Sequence, residues 1–268
     1  MIIPYEPDYY PPSNNPVIYV GRNFLKVIRH AGRGILMVFE AFLFLPFILR
    51  SRDEVARQMF LSGIKSFGIT TVVALFTGMI LALQAGLILR EHGLEMRVGT
   101  IVAEAVCREM GPIMTALILS ASVGSAIAAQ LGTMAVSEEI AALEVMSINP
   151  VRFLVMPRLA AMMVMCPVLT IYTDVIGIIG GGAVAESQLN VSWGLYYENV
   201  LFMLGTKEIW IGILKAWVFA IIIVGISCYE GLSATKGAIG VGIATRSSVV
   251  ISFLLVLVSG YFLTRFFY

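Results

Sequence analysis

Long uninterrupted apolar runs, rather than alternation, set the pattern of this chain. Five stand out, at about residues 64–89, 98–131, 159–185, 209–228 and 249–263. The first is broken only by Lys65 and Gln84. Crossing a bilayer as a helix takes about 20 apolar residues, and the second run is long enough to tilt or kink. Continuous runs fit helices, whereas a membrane strand would alternate with period two. The pattern predicts an all-α polytopic membrane protein with five transmembrane helices. Upstream, Arg22, Lys26, Arg29 and Arg33 recur at spacings of four, three and four, which places them on one helical face. Residues 35–49 are apolar apart from Glu40 and are interrupted by Pro46. That stretch is short for a crossing, so residues 21–50 are expected to form an N-terminal interfacial helix, with an extra span as the alternative. Residues 1–20 lack the basic and apolar regions of a signal peptide and are expected to be an irregular tail. Residues 21–268 form one membrane domain.

Composition sharpens this picture. The chain is 59% hydrophobic and 13% charged. A soluble domain carries roughly 25% charged residues, so most of the apolar surface must face lipid or other helices. A net charge of +1 gives no reason to expect nucleic acid as a partner. Loop charge gives the orientation. With the N-terminus inside, the inner regions hold Arg22, Lys26, Arg29, Arg33, Arg50, Arg52, Arg57, Arg152, Arg158, Lys236 and Arg246. The outer regions hold only Arg90, Arg97, Lys207 and Arg265. The N-terminus is therefore expected in the cytoplasm. Cys107, Cys166 and Cys228 lie far apart in or beside apolar segments and show no metal-ligand spacing, and His30 and His92 are isolated.

Chemistry concentrates in the second run. Arg108-Glu109-Met110-Gly111-Pro112 interrupts an apolar stretch. Charge at membrane depth usually faces a bundle interior or a wet cavity, and Pro112 frees the carbonyl of Arg108 from its helical partner. A polar pocket or the outer interface would accommodate these residues. Lys215 lies within the fourth run, where it could pair with Glu109, meet a lipid phosphate, or snorkel. Asp174 and Glu186 are weaker candidates. Ser120, Gly124, Ala128 and Gly132 repeat every four residues, as do Gly177 and Gly181. Such stripes predict close helix packing, within one subunit or across a dimer axis.

The loop after the second run reads as a short amphipathic helix. Ser137 is its expected N-cap, and Glu138 and Glu139 suit the positive end of its dipole. Val136, Ile140, Leu143 and Met146 fall near one face, and Asn149-Pro150 stops it. An acidic helix of this kind, carrying Glu144 as well, can rest on its own bundle or dock into a groove of a soluble partner. There is no phosphate loop. The stretch from Gly231 to Gly237 has the wrong spacing, so this chain is not expected to hydrolyse ATP or bind a cofactor itself. Motifs for metal-dependent or serine hydrolysis are absent too.

Several stretches together resemble the MlaE permease family. They are 108–112, Val123-Gly124-Ser125-Ala126-Ile127-Ala128-Ala129, Leu131-Gly132-Thr133-Met134, Ser137-Glu138-Glu139-Ile140, Ala142-Leu143-Glu144-Val145-Met146, Ile148-Asn149-Pro150, Pro157-Arg158, and 240–250. The resemblance implies the membrane subunit of an ABC-type transporter that moves phospholipid between the inner membrane and a periplasmic MCE-domain hexamer, in the service of outer-membrane lipid asymmetry. It implies a homodimer and a cytoplasmic ATPase dimer that supplies ATP and Mg. A small STAS-type cytoplasmic subunit is a further expected companion. It places an ATPase-coupling helix on residues 137–146 and lipid-cavity charges on Arg108, Glu109 and Lys215. Charges usual in the family are missing at Ser122, Gln130, Ala135, Ala141 and Gly260. An ion-coupled secondary transporter, acting through Glu109, Asp174 or Lys215, and a non-transporting anchor for an MCE complex are the alternatives.

Overall fold

A computed structural model describes residues 16–267, and every regular element among them is helical. Residues 1–15 of the expected irregular tail lie outside the described residues. Residues 16–20 do not belong to a tail, because the first helix, α1 (Pro16–Leu43), already includes them. Pro16 suits that first position, where an N–H would have no helical partner. Exposed Leu25, Ile28, Ile35, Leu36, Phe39 and Leu43 form one apolar stripe along α1, while Met37 and Ala41 turn inward. This two-sided helix is not among those long and apolar enough to cross a membrane. Its geometry suits an interface. The side chains of Arg22 and Lys26, expected on its basic face, lie outside the described set. Pro46 then opens a tighter turn, Leu45–Arg50.

Among the described residues, five helices are long and apolar enough to cross a membrane: α2 (Arg52–Glu91), α3 (Glu95–Val136), α5 (Val151–Leu189), α7 (Thr206–Leu232) and α8 (Gly237–Phe267). Each runs beyond the apolar stretch that predicts it. The extra turns are amphipathic: at the start of α2, Val55, Gln58 and Ser62 are buried while its charged residues face out. Between α3 and α5 lies the short α4 (Glu139–Val145). A further helix, α6 (Trp193–Met203), was not anticipated. It packs across the other end of the bundle, where the buried Tyr196 donates from its hydroxyl to the carbonyl of Ile178 at 2.9 Å. Burial holds this phenol above the ordinary tyrosine range, so it remains a neutral donor.

Small residues decide how the spans meet. In lipid there is little hydrophobic drive between helices, so close approach and dispersion must hold them together. α2 presents Thr70, Ala74, Gly78, Ala82 and Gly86, all buried and four apart. They face α5, where a Cβ on Gly78 would collide with the backbone of Gly177. α8 presents Gly240, Ala244, Ser248, Ser252, Val256 and Gly260 in the same rhythm toward α3 and α7. The helices α3, α5 and α7 form the middle of the bundle. Leu119, Leu131, Leu159, Met162, Phe219 and Ile223 from these three helices pack in its core.

Two span helices, α3 and α5, carry internal prolines beside a perturbed or freed backbone position. In α3 the turn Val106–Met110 is widened so that the N–H of Gly111 reaches the carbonyl of Val106, and Pro112 follows. In α5 the turn Val151–Val155 is widened in the same way, and Pro157 follows. A proline ring clashes with the carbonyl four residues back, and a wide turn moves that carbonyl aside. Pro167 sits further along α5. The carbonyl that it leaves without a backbone donor, on Met163, accepts from the indole N–H of Trp217 in α7 at 3.0 Å.

Candidate functional site

The intramembrane charges meet where α3, α7 and α8 touch. Pro112 leaves the Arg108 carbonyl without a helical donor, and the ammonium of Lys215 supplies one at 2.5 Å. The same ammonium donates to Glu109 Oε1 at 2.7 Å and to Thr264 Oγ1 at 2.9 Å. Thr264 passes its own proton to Glu109 Oε1 at 2.6 Å. All three ammonium protons are thereby assigned. The side chain of Lys215 is 0% exposed and that of Glu109 is 31% exposed. Arg108 pairs with Glu104 one turn earlier on α3.

This geometry corrects one expectation. Lys215 has no face on a cavity and no proton left for a lipid phosphate. It joins α7 to α3 and α8. Arg108 and Glu109 keep part of their surface open, so a head group arriving here would meet them. Thr264 was missed: a lone threonine in an apolar run carries no signal until its helix is placed. A side chain at Gly260, where the resemblance leads one to expect a charge, would start among the apolar neighbours Phe219 and Ile113. Ser122, at another position where the resemblance leads one to expect a charge, donates its hydroxyl to the Ile118 carbonyl of its own helix at 2.7 Å.

Asp174 lies on α5 against Gly111, where a Cβ would strike Oδ1 and push the carboxylate aside. Oδ1 is enclosed and has no hydrogen-bond partner among the described residues. The neighbouring gap, lined by Thr77, Met110, Gly111, Met114 and Thr173 among others, measures about 10 Å³, which is room for a water and not for a lipid. Glu186 is exposed at the end of α5.

The expected packing stripe is engaged within the subunit. A Cβ on Gly124 would lie 2.9 Å from Ser227 Oγ, and one on Gly231 would lie 3.0 Å from the Ala128 carbonyl. Gly132 faces Ala234 and Val241, and Ser120 reaches toward the Val249 carbonyl. All four residues therefore face α7, α8 or the link between them, within one subunit.

At the other candidate region, α4 begins later than expected. Ser137 is not its N-cap. The Ser137 hydroxyl instead donates back to the Thr133 carbonyl at 2.9 Å, which closes the end of α3. Glu138, at φ 61°, makes the left-handed turn that starts α4, and its carbonyl accepts from the Ala142 N–H at 3.0 Å. At the far end Ser147 takes φ 59°. The N–H of Ile148 reaches the Leu143 carbonyl and that of Ser147 reaches the Glu144 carbonyl, each at 2.9 Å. This pair of bonds defines a Schellman stop. Ile140 and Leu143 pack on the bundle core. Glu138, Glu139 and Glu144 are exposed. So are Val145, at 86%, and Met146, at 61%, so Met146 does not share the inward face as expected. Below α4, buried Arg158 donates to Gln130 Oε1 at 2.9 Å and to the Leu154 carbonyl at 2.5 Å, joining the end of α3 to the start of α5.

The sequence profile described as Permease MlaE matches residues 55–266. The chain belongs to the MlaE permease family. It is similar to a probable ABC transporter permease protein of Rickettsia felis, 34% identical over 252 residues, which is 93% of this chain and 96% of that protein. It is similar to the intermembrane phospholipid transport system permease protein MlaE of Haemophilus influenzae, 32% identical over 251 residues, covering 93% and 96%. A probable ABC transporter permease protein of Synechocystis is 32% identical over 214 residues, covering 80% and 81%. This member of the MlaE permease family is a multi-pass membrane protein.

Proposed function

We propose that this chain is the membrane subunit of an ATP-driven transporter that moves phospholipid between the inner membrane and a periplasmic MCE-domain carrier, serving outer-membrane lipid asymmetry. Two copies pair, the N-terminus and α4 face the cytoplasm, and a separate ATPase docks on α4. The observation that carries this reading is α4 itself. Its inward residues fasten it to the core, and its outward face offers carboxylates beside a bare apolar tip of Val145 and Met146. Free-standing apolar side chains rimmed by charge mark a protein interface. Arg108 and Glu109 shape the head-group region. The name of the Haemophilus relative supports phospholipid as cargo.

Co-purification from a native membrane followed by mass spectrometry of the bound lipid tests this reading. A nucleotide-binding subunit and phospholipid should accompany the wild-type chain, and Glu144→Lys should release the ATPase. An ion-coupled mechanism, favoured by the enclosed Asp174 carboxyl, would instead give transport that ignores the ATPase and fails when the proton gradient is collapsed.

A further inference from the structure

We infer that Asn149 is a positioning residue that couples α4 to the interfacial helix α1, making α1 a moving part of the transport cycle. This rests on the proposed ATPase-driven displacement of α4. Asn149 stands just after the stop of α4. Its Oδ1 accepts from the backbone N–H of Val151 at 2.8 Å and of Arg152 at 3.3 Å, which caps the start of α5. Its Nδ2 donates to Glu40 Oε1 of α1 at 2.8 Å. One amide therefore holds α1 and the start of α5 together, four residues past the last residue of α4. Two further contacts fix α1 to the same place. Met37 and Ala41 pack in one core with Val151, Leu154 and Val155. The Arg152 guanidinium lies 4.4 Å from the centroid of the Phe47 ring in the turn after α1. A push on α4 reaches Asn149 within one turn, and Asn149 then pulls on Glu40. Since α1 carries a long exposed apolar stripe, its displacement would disturb the lipid beside it.

Aspartate at this position separates the two roles. Asn149→Asp keeps an acceptor for the α5 cap but sets a carboxylate against Glu40, breaking the link to α1 alone. Glu40→Gln keeps an acceptor for Asn149. In the double variant, the amide introduced at position 40 donates to the carboxylate introduced at position 149 and restores the link with reversed polarity. The complex with its ATPase, in vesicles of phosphatidylethanolamine and phosphatidylglycerol, is assayed for ATP hydrolysed and lipid transferred together. N149D should retain ATPase binding and hydrolysis while moving about 3- to 10-fold less lipid per ATP, the effect of losing one charge-assisted hydrogen bond in a coupling path. E40Q leaves a neutral acceptor for the Asn149 amide and should lose less lipid yield than N149D, and E40Q/N149D should recover most of the N149D loss. Wild-type yield in N149D overturns the inference and leaves the proposed function standing. A loss that the double variant does not restore also overturns it. A wild-type complex that hydrolyses ATP without moving lipid overturns both.

Discussion

Lys215 of α7 donates to the carbonyl of Arg108 at 2.5 Å, the one carbonyl of α3 that Pro112 deprives of its helical partner. The charge is therefore held in the bundle by a backbone defect as well as by the Glu109 carboxylate. Lys215→Met leaves that carbonyl and carboxylate without their shared donor. It should lower stability in detergent by about 3 kcal/mol, the low end of the range for breaking a buried pair because Glu109 is partly solvated. Glu109→Gln combined with Lys215→Met should recover part of this. Thermal unfolding of the purified variants measures both.

The same rule operates between Trp217 and Met163. Trp217 supplies the donor that Pro167 withholds from the Met163 carbonyl. Trp217→Phe should cost about 1 kcal/mol, the net worth of one hydrogen bond. Pro167→Ala restores the backbone N–H, so Trp217→Phe should be nearly silent in that background. A double-mutant cycle on unfolding midpoints reads the coupling directly.

Two glycines of α2 should behave in opposite ways. A Cβ at Gly78 would strike the backbone of Gly177, whereas one at Gly68 meets nothing within 4 Å. Gly78→Ala should destabilise by about 1–3 kcal/mol by forcing α2 off α5. Gly68→Ala should be neutral or stabilising by about 0.5–1 kcal/mol, because alanine orders a helix more readily. Unfolding midpoints of the two variants, measured side by side, decide it.

Gln130 stands where relatives are expected to carry an acid, and it accepts from buried Arg158. Gln130→Glu should keep the contact, convert it to an ion pair and raise the unfolding midpoint. Gln130→Leu should lower stability by about 1–3 kcal/mol, since Arg158 then loses its only side-chain acceptor among the described contacts.

The five spans were legible because apolar runs of this length have no other stable place. Their ends were not, since the turns beyond the bilayer at 52–62 and 151–158 are amphipathic and read as loop. The stripe from Thr70 to Gly86 was written in the sequence at the same four-residue spacing as that from Ser120 to Gly132, and a search for repeats of small residues on every span would have found it. Glu109 and Lys215 stood out by charge, but their pairing was one of three options that the sequence left open. Thr264 was not legible, because nothing in one chain segment says which helix end will fall beside another. The cap of α4 was misread because α3 runs on to Val136, so the Ser137 hydroxyl closes that helix on the Thr133 carbonyl and Glu138 starts α4.

The most direct test of the account follows labelled phospholipid leaving proteoliposomes that contain the chain and its ATPase, comparing wild type with Val145→Asp. This substitution places a charge on the most exposed part of α4 and touches no core residue. The account predicts transfer that requires ATP, falls at least about tenfold in the variant, and does so with an unchanged unfolding midpoint. Transfer that continues without the ATPase, or that survives the variant intact, would contradict it.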